Sequence, residues 1–241
     1  MELQTRGVDI AIGGRILLSD VSFQAHGGEL VALVGPSGCG KTTLLNSLGL
    51  LLPVKAGAIE YDGSDATHWS SRRIRRFWRD EASFVIQNAG IDQDESVLYN
   101  VSLQKRRFHA TKQLAKKATS ALSQVGLSNR ASERARVLSG GEQRRVAIAR
   151  AIYRQASIVF ADEPTASLDA DNRLLVQSLL LDEARRGALV IASTHDRELA
   201  NAATKVIDLS RYVAQPSASE TRSTRKANVL SHLRLRRVEK H

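Results

Sequence analysis

Eight residues, Gly35-Pro36-Ser37-Gly38-Cys39-Gly40-Lys41-Thr42, set glycines where a backbone must curl and end on a cation and a hydroxyl. They fit the G-x-x-x-x-G-K-[ST] spacing of a phosphate-binding loop. Glycine lets successive N–H groups point inward at phosphate oxygens, and a helix start adds about half a positive charge. Lys41 is expected to reach the β- and γ-phosphates, and the Thr42 hydroxyl to bind Mg²⁺. Such a loop needs carboxylates at the end of a neighbouring buried strand. SIVFADEP, Ser157 to Pro164, ends an apolar run in two adjacent acids. An acid pair capping a buried strand is costly to place without a cation. Asp162 is therefore expected in the Mg²⁺ shell, and Glu163 to polarise the attacking water.

A second stretch repeats this chemistry. LSGGEQRRVAIARA, Leu138 to Ala151, opens with a hydroxyl and a glycine pair and continues as an Arg-bearing helix pattern. That is the format of an anion-binding helix start. One chain thus carries two phosphate devices.

The elements that position these groups follow from pattern. Apolar or β-branched runs predict strands at Leu30–Val34, Ser83–Ile86, Ser157–Ala161, Ala188–Ala192 and Thr204–Leu209. Several are continuously apolar, as in a sheet covered on both faces. Helices are predicted over Lys41–Leu51, Asn172–Arg186 and Arg197–Ala203. This alternation predicts an α/β layered core. From about Ser96 to Gln155 no strand pattern appears, whereas Thr111–Val125 and Gly141–Gln155 have helical composition, so a helical insertion is predicted over 96–155. Leu3–Ala25 reads as strands turned at Gly13-Gly14, an antiparallel β piece.

In order, GPSGCGKTT (which adds Thr43), FVIQN with Gln87, LSGGEQRR, VFADEP, ASLDA around Ser167 to Asp169, and STHD with His195 resemble the motif series of ABC transporter nucleotide-binding subunits. LSGGEQ between the P-loop and the acid-tipped strand is highly specific to that superfamily. The resemblance spans 35–196 and, with the strand pattern, reaches about 209. It implies an α/β P-loop NTPase core with an antiparallel β subdomain and an inserted α-helical subdomain. It implies a Mg²⁺-dependent ATPase that works as a head-to-tail dimer, with itself or with a homologous cassette. Each ATP would lie between one P-loop and the partner's Ser139, Gly140, Gly141 and Glu142. Two devices are then needed because each does half of the work at two sites. By matching position, Gln87 is implied to sense Mg²⁺ and the attacking water, His195 to contact the γ-phosphate, and Asp169 to lie at the dimer seam. One residue departs from the pattern. The family usually sets an aromatic 23 positions before the first P-loop glycine, to stack on adenine; here that position is Ile12. Weak adenine discrimination is the expectation.

The implied function is ATP-driven transport through a separate integral membrane permease subunit, with this chain peripheral on the cytoplasmic face. The cassette resembles the group serving lipoprotein release and macrolide or peptide export, and QNAGIDQDESVLYNV is similar to cassettes for bacteriocin-type peptides. Relatives that act on nucleic acid or ribosomes usually carry two cassettes or a long coiled-coil insertion, so no nucleic-acid partner is expected.

Bulk composition agrees with this frame. A chain of 241 residues, 42% hydrophobic, can bury one large domain with an inserted subdomain. The net charge of +10 points to an anionic ligand, surface or partner. A single cysteine, Cys39, excludes an internal disulfide and reads as a small loop residue. No secretory signal is visible, and no apolar stretch approaches the ~20 residues that span a bilayer. Residues 1–209 are expected to form one domain. Residues 210–241 are expected to be a basic, flexible tail, with eight Lys or Arg against two Glu from Arg211 onward.

Overall fold

The structure, a computed structural model, describes residues 1–86, 90–103 and 112–214. Gln87 and the basic segment 215–241 lie outside the described residues. The chain opens with β1 (Glu2–Ile12) and β2 (Arg15–His26), an antiparallel hairpin turned at Gly13-Gly14. Leu3, Thr5, Val8 and Ile10 are the buried positions of β1. A register shift between Thr5 and Val8 keeps both pairs on the core face, and Gly7 supplies the positive φ it requires.

Then come β3 (Leu30–Val34), α1 (Lys41–Leu48), β4 (Ala56–Tyr61), β5 (Ser64–Asp65), α2 (Ser71–Asp80) and β6 (Ala82–Val85). Three helices follow: α3 (Val97–Ser102), α4 (Lys112–Gln124) and α5 (Gly140–Arg154). The chain returns through β7 (Ile158–Asp162), α6 (Ala170–Arg185), β8 (Leu189–Ser193), α7 (Arg197–Ala202) and β9 (Lys205–Asp208). Two sheets result. One is antiparallel, in the order β2-β1-β4-β5; the other is parallel, in the order β6-β7-β8-β3-β9.

The parallel sheet is buried on both faces, which explains its continuously apolar strands. Leu30, Val159 and Val190 face a core shared with α3 to α6, while Val31, Ile158 and Leu189 face one shared with α1 and the antiparallel sheet. The mixed α/β architecture matches the predicted fold class, with α3, α4 and α5 among the described residues between β6 and β7.

β4, β5 and α2 have no clear counterpart in the sequence pattern. β4 contains two of its few residues as Ala-Gly, a weak strand signal. In α2 five arginines hide a narrow apolar stripe of Ile74, Phe77 and Trp78. Past residue 209 the chain is still built in: Leu209–Tyr212 forms a 3-10 turn, Val213 bridges Leu18, and the Ala214 N–H donates to the Leu17 carbonyl at 3.0 Å. Among the described residues no helix is long and apolar enough to cross a membrane.

Candidate functional site

The phosphate loop connects β3 to α1. Gly35, Gly38 and Gly40 have φ of 154°, 74° and 111°, left-handed values that favour glycine. At Gly35 a Cβ would stand 3.0 Å from the Cys39 sulfur; at Gly40 it would stand 3.3 Å from Leu17 and Leu18 of β2. The antiparallel sheet therefore packs directly on the loop. Because Gly40 is the N-cap of α1, no side chain covers the first amides of that helix, and no acid stands in its first turn. Those N–H groups are open to an external acceptor. Lys41 is buried, and its ammonium donates to the Gly35 and Pro36 carbonyls at 3.0 and 3.1 Å. Ser37 and Thr42 are exposed, whereas Cys39 and Thr43 are buried beneath them. Cys39 is a free thiol.

Opposite the loop, β7 ends in Asp162, in register with Ser193 of β8. The Thr42 hydroxyl donates to Asp162 Oδ1 at 3.0 Å, and the Ser193 hydroxyl donates to the same oxygen. Glu163 has a left-handed φ of 46°, and its N–H donates to the Ser193 carbonyl at 3.0 Å. This bend turns the carboxylate onto His195: Oε1 lies 3.0 Å from Nε2, and Oε2 accepts from the His195 N–H at 3.2 Å. The structure thus brings Lys41, Thr42, Asp162, Glu163 and His195 to one end of the parallel sheet.

The second device is the start of α5. Ser139 is its N-cap; the Ser139 hydroxyl accepts from the Glu142 N–H, and Glu142 accepts from the Ser139 N–H at 2.8 Å. The S-x-x-E spacing is the sequence mark of this reciprocal cap. Burial by itself would raise the Glu142 carboxyl, but the bonds from Ser139 and the charges of Arg130 and Arg145 outweigh it and hold the group below its usual range. Arg130 pairs with it at 2.9 Å. Among the described residues no hydrogen bond or ion pair joins 139–142 to the loop 35–43.

A turn links the two devices. Asp169 caps α6, accepting from the Asn172 N–H at 2.9 Å, and Arg145 of α5 donates to the Asn172 side chain. Arg144 donates to the Ala166 carbonyl. A Cβ on Gly141 would meet Leu168 at 2.9 Å. Two groups here escaped sequence reasoning. Ser193 lies inside STHD, yet nothing in the spacing singled it out. Arg150 does leave a signal, an arginine on the apolar stripe of α5. Its guanidinium donates to the Asn100 carbonyl at 2.7 Å and to the Gly90 carbonyl at 3.1 Å, and burial lowers its pKa to about 10. Ile12 ends β1 beside the hairpin turn and is 56% exposed.

Comparison with known proteins gives a consistent answer. The family model described as ABC transporter matches residues 18–166. The lipoprotein-releasing system ATP-binding protein LolD of Bacteroides fragilis is 34% identical over 211 residues, covering 86% of this chain and 97% of LolD. The pyoverdine export ATP-binding/permease protein PvdT of Pseudomonas putida is 37% identical over 196 residues, covering 80% of this chain but only 30% of PvdT. Among solved structures, a dimeric post-hydrolysis state of the ATP-binding cassette MJ0796, bound to ADP and Pi, superposes with a TM-score of 0.77 at 29% identity, covering 86% of this chain and 94% of that one. The chain belongs to the ABC transporter family, as one of its ATP-hydrolysing cassettes.

Proposed function

We propose that this chain is the ATPase subunit of an exporter, acting as a dimer on a separate membrane permease and lying on the inner face of the membrane. The carrying observation is the convergence of Thr42 and Ser193 on Asp162, with the Glu163–His195 pair beside it, at a phosphate loop that, among the described residues, shares no hydrogen bond or ion pair with the chain's own LSGGE start. A site half built in this way is completed by the second device of another copy or of a homologous cassette.

Chemically, the loop amides and Lys41 bind the β- and γ-phosphates, and Lys41 exchanges its two carbonyl partners for phosphate oxygens. Glu163 accepts the proton of the attacking water. His195 holds Glu163 in place and reaches the γ-phosphate, while the partner's Ser139 hydroxyl and Gly140 and Gly141 amides meet it from the other side. The outward Ser139 and the cap formed by Glu142 keep that second helix start ordered. Gln87 senses the water and the permease. The hard oxygens of Thr42 and Asp162 fit Mg²⁺, and among the described residues no larger His, Cys, Asp or Glu cluster competes for a metal. Mg²⁺ would neutralise the developing phosphate charge there. The adenine base lies on Ile12.

Export of a lipoprotein, peptide or drug is the reading supported by the relatives, whose names carry lipoprotein release and pyoverdine export. The test is purification of the full chain from gently solubilised native membranes. A multi-spanning partner that raises its ATP turnover is the expected result. Recovery with ribosomes or nucleic acid, and no such partner, overturns the proposal.

A further inference from the structure

Helix α2 carries five arginines and one acid in ten residues. Arg79 pairs with Asp80 at 2.7 Å, but Arg72, Arg73, Arg75 and Arg76 have no carboxylate within ion-pairing distance among the described residues. Arg72 and Arg75, Arg72 and Arg76, and Arg73 and Arg76 are neighbours on the helix surface, and each such like-charge pair costs a few tenths of a kcal/mol. The helix holds this arrangement because its other face is anchored. Phe77 is buried against Tyr61 with ring centroids 4.8 Å apart, and the Trp78 indole N–H donates to the Gly49 carbonyl at 2.8 Å.

Beside the helix lies a cavity of about 490 Å³. Its floor is aromatic, formed by Tyr61, Trp69 and Phe77, and Arg72, Arg73 and Arg76 wall it. Arg73 is already oriented, its guanidinium 4.0 Å over the Trp69 ring. Two acids also line the space. Asp62 is engaged, accepting from the Glu2 N–H at 2.7 Å with the chain's amino terminus 3.8 Å away. Glu81 is raised above its ordinary value by burial, and further by Asp62 and Asp80, against the opposing pull of Arg73 and the amino terminus.

The place is also distinct. α2 feeds the N-terminal end of β6, where the Glu81 carbonyl accepts from the Ser157 and Ile158 N–H groups. The proposed ATP-binding groups follow the C-terminal ends of β3, β7 and β8, at the opposite end of the parallel strands. Three arginines without a carboxylate in ion-pairing distance, lining one cavity with an aromatic floor, match a planar-donor grip on an anion, and arginine is the side chain suited to phosphate.

We propose that this pocket binds a phosphate group, carried by an anionic phospholipid headgroup or by a soluble phosphorylated compound. The test uses the full chain with its phosphate loop saturated by a non-hydrolysable ATP analogue and Mg²⁺. Inorganic phosphate is titrated by calorimetry, and flotation is measured with phosphatidylcholine vesicles with and without phosphatidylglycerol. The variant is Arg72→Ala/Arg73→Ala/Arg76→Ala, with Arg236→Ala/Arg237→Ala as the control for the basic C-terminal segment. Basal ATP turnover of the triple variant stays at the wild-type level, which verifies its fold, and relief of like-charge repulsion favours that fold.

The triple variant is expected to lose about tenfold or more in phosphate affinity, while the control retains it. Loss of vesicle binding in the triple variant as well assigns the phosphate to a lipid. Vesicle binding equal to wild type, with phosphate binding lost, assigns it to a soluble compound. If wild type binds neither probe, or the triple variant binds both as wild type does, the proposal is overturned.

Discussion

Replacing Ile12 by tyrosine tests where the base lies and how little of it is read. Ile12 sits at the hairpin end, and the next strand packs on Gly40 of the phosphate loop. Burying an isoleucine completely yields about 1.5–3 kcal/mol. With 56% of Ile12 still exposed, a base laid on it gains at most roughly 1–2 kcal/mol. That gain is the same for adenine and guanine, because an aliphatic surface reads no hydrogen-bonding edge. Aromatic stacking is worth about 1–3 kcal/mol and is equally tolerant of base identity. Ile12→Tyr should therefore tighten both ATP and GTP by about 1 kcal/mol, roughly fivefold. Tripolyphosphate, which has no base, should bind unchanged. The assay is equilibrium binding of all three in a Glu163→Gln background, where turnover does not interfere. Wild type should bind ATP and GTP within about threefold of each other. A strong wild-type preference for ATP, or an Ile12→Tyr variant with unchanged ATP affinity, refutes the reasoning.

Three further outcomes follow. Glu163→Gln keeps a bonding partner for His195 but cannot take the proton of water, so turnover should fall about 10²–10⁴-fold while ATP binding persists and a dimer accumulates on sizing columns; wild-type turnover would remove Glu163 from that role. Arg150→Met leaves the Gly90 and Asn100 carbonyls without their donor, a cost of about 1–3 kcal/mol each, offset in part because no guanidinium need be desolvated. The net, about 2 kcal/mol, should lower the unfolding midpoint by about 4–8 °C, and an unchanged midpoint contradicts the assignment. Glu142 has a folded pKa below its unfolded value of about 4.3, so its contribution is present above that pH and is lost as pH falls through the folded pKa. Amide-exchange protection at the start of α5 should drop below about pH 4 in wild type and lose that step in Glu142→Gln; identical pH profiles would sink the argument.

The positions of the loop and the acid pair were legible because each is local. A glycine-rich loop between a strand and a helix, and two acids at the end of an apolar run, each fit in a few consecutive residues, and both stand where their patterns predict. What connects them was not legible. Ser193 meets Asp162 only because β7 and β8 pair in parallel register, and parallel pairing leaves no mark in either strand alone. The Glu163–His195 pair depends on a left-handed φ at a glutamate, which no propensity favours. Helix α2 escaped because its charge outnumbers its apolar stripe, so burial of Phe77 against Tyr61 of the antiparallel sheet and the bond from Trp78 to Gly49 after α1 decide the element rather than periodicity. The end of the domain was set at 209 by composition, yet Val213 and Ala214 still bond to β2, since backbone pairing does not require apolar side chains.

In the proposed dimer, the stretch from Asp162 to Asp169 lies between the two half-sites that one chain would serve. Two of its residues, Glu163 and Ser167, hold left-handed φ values of 46° and 59°, a conformation that costs a non-glycine residue roughly 1–2 kcal/mol. The surroundings enforce it: the Glu163 N–H is tied to Ser193, the Ala166 carbonyl to Arg144, and Asp169 to the first turn of α6. At one end the stretch touches Thr42 of the phosphate loop, and at the other Leu168 lies under Gly141 of the second device. Among the described residues the loop and the LSGGE start share no hydrogen bond or ion pair, so this turn, held on both sides, is a physical connection between them. In the proposed dimer this turn would be a route of packed atoms between the Glu163 side of one nucleotide site and the helix start offered to the other.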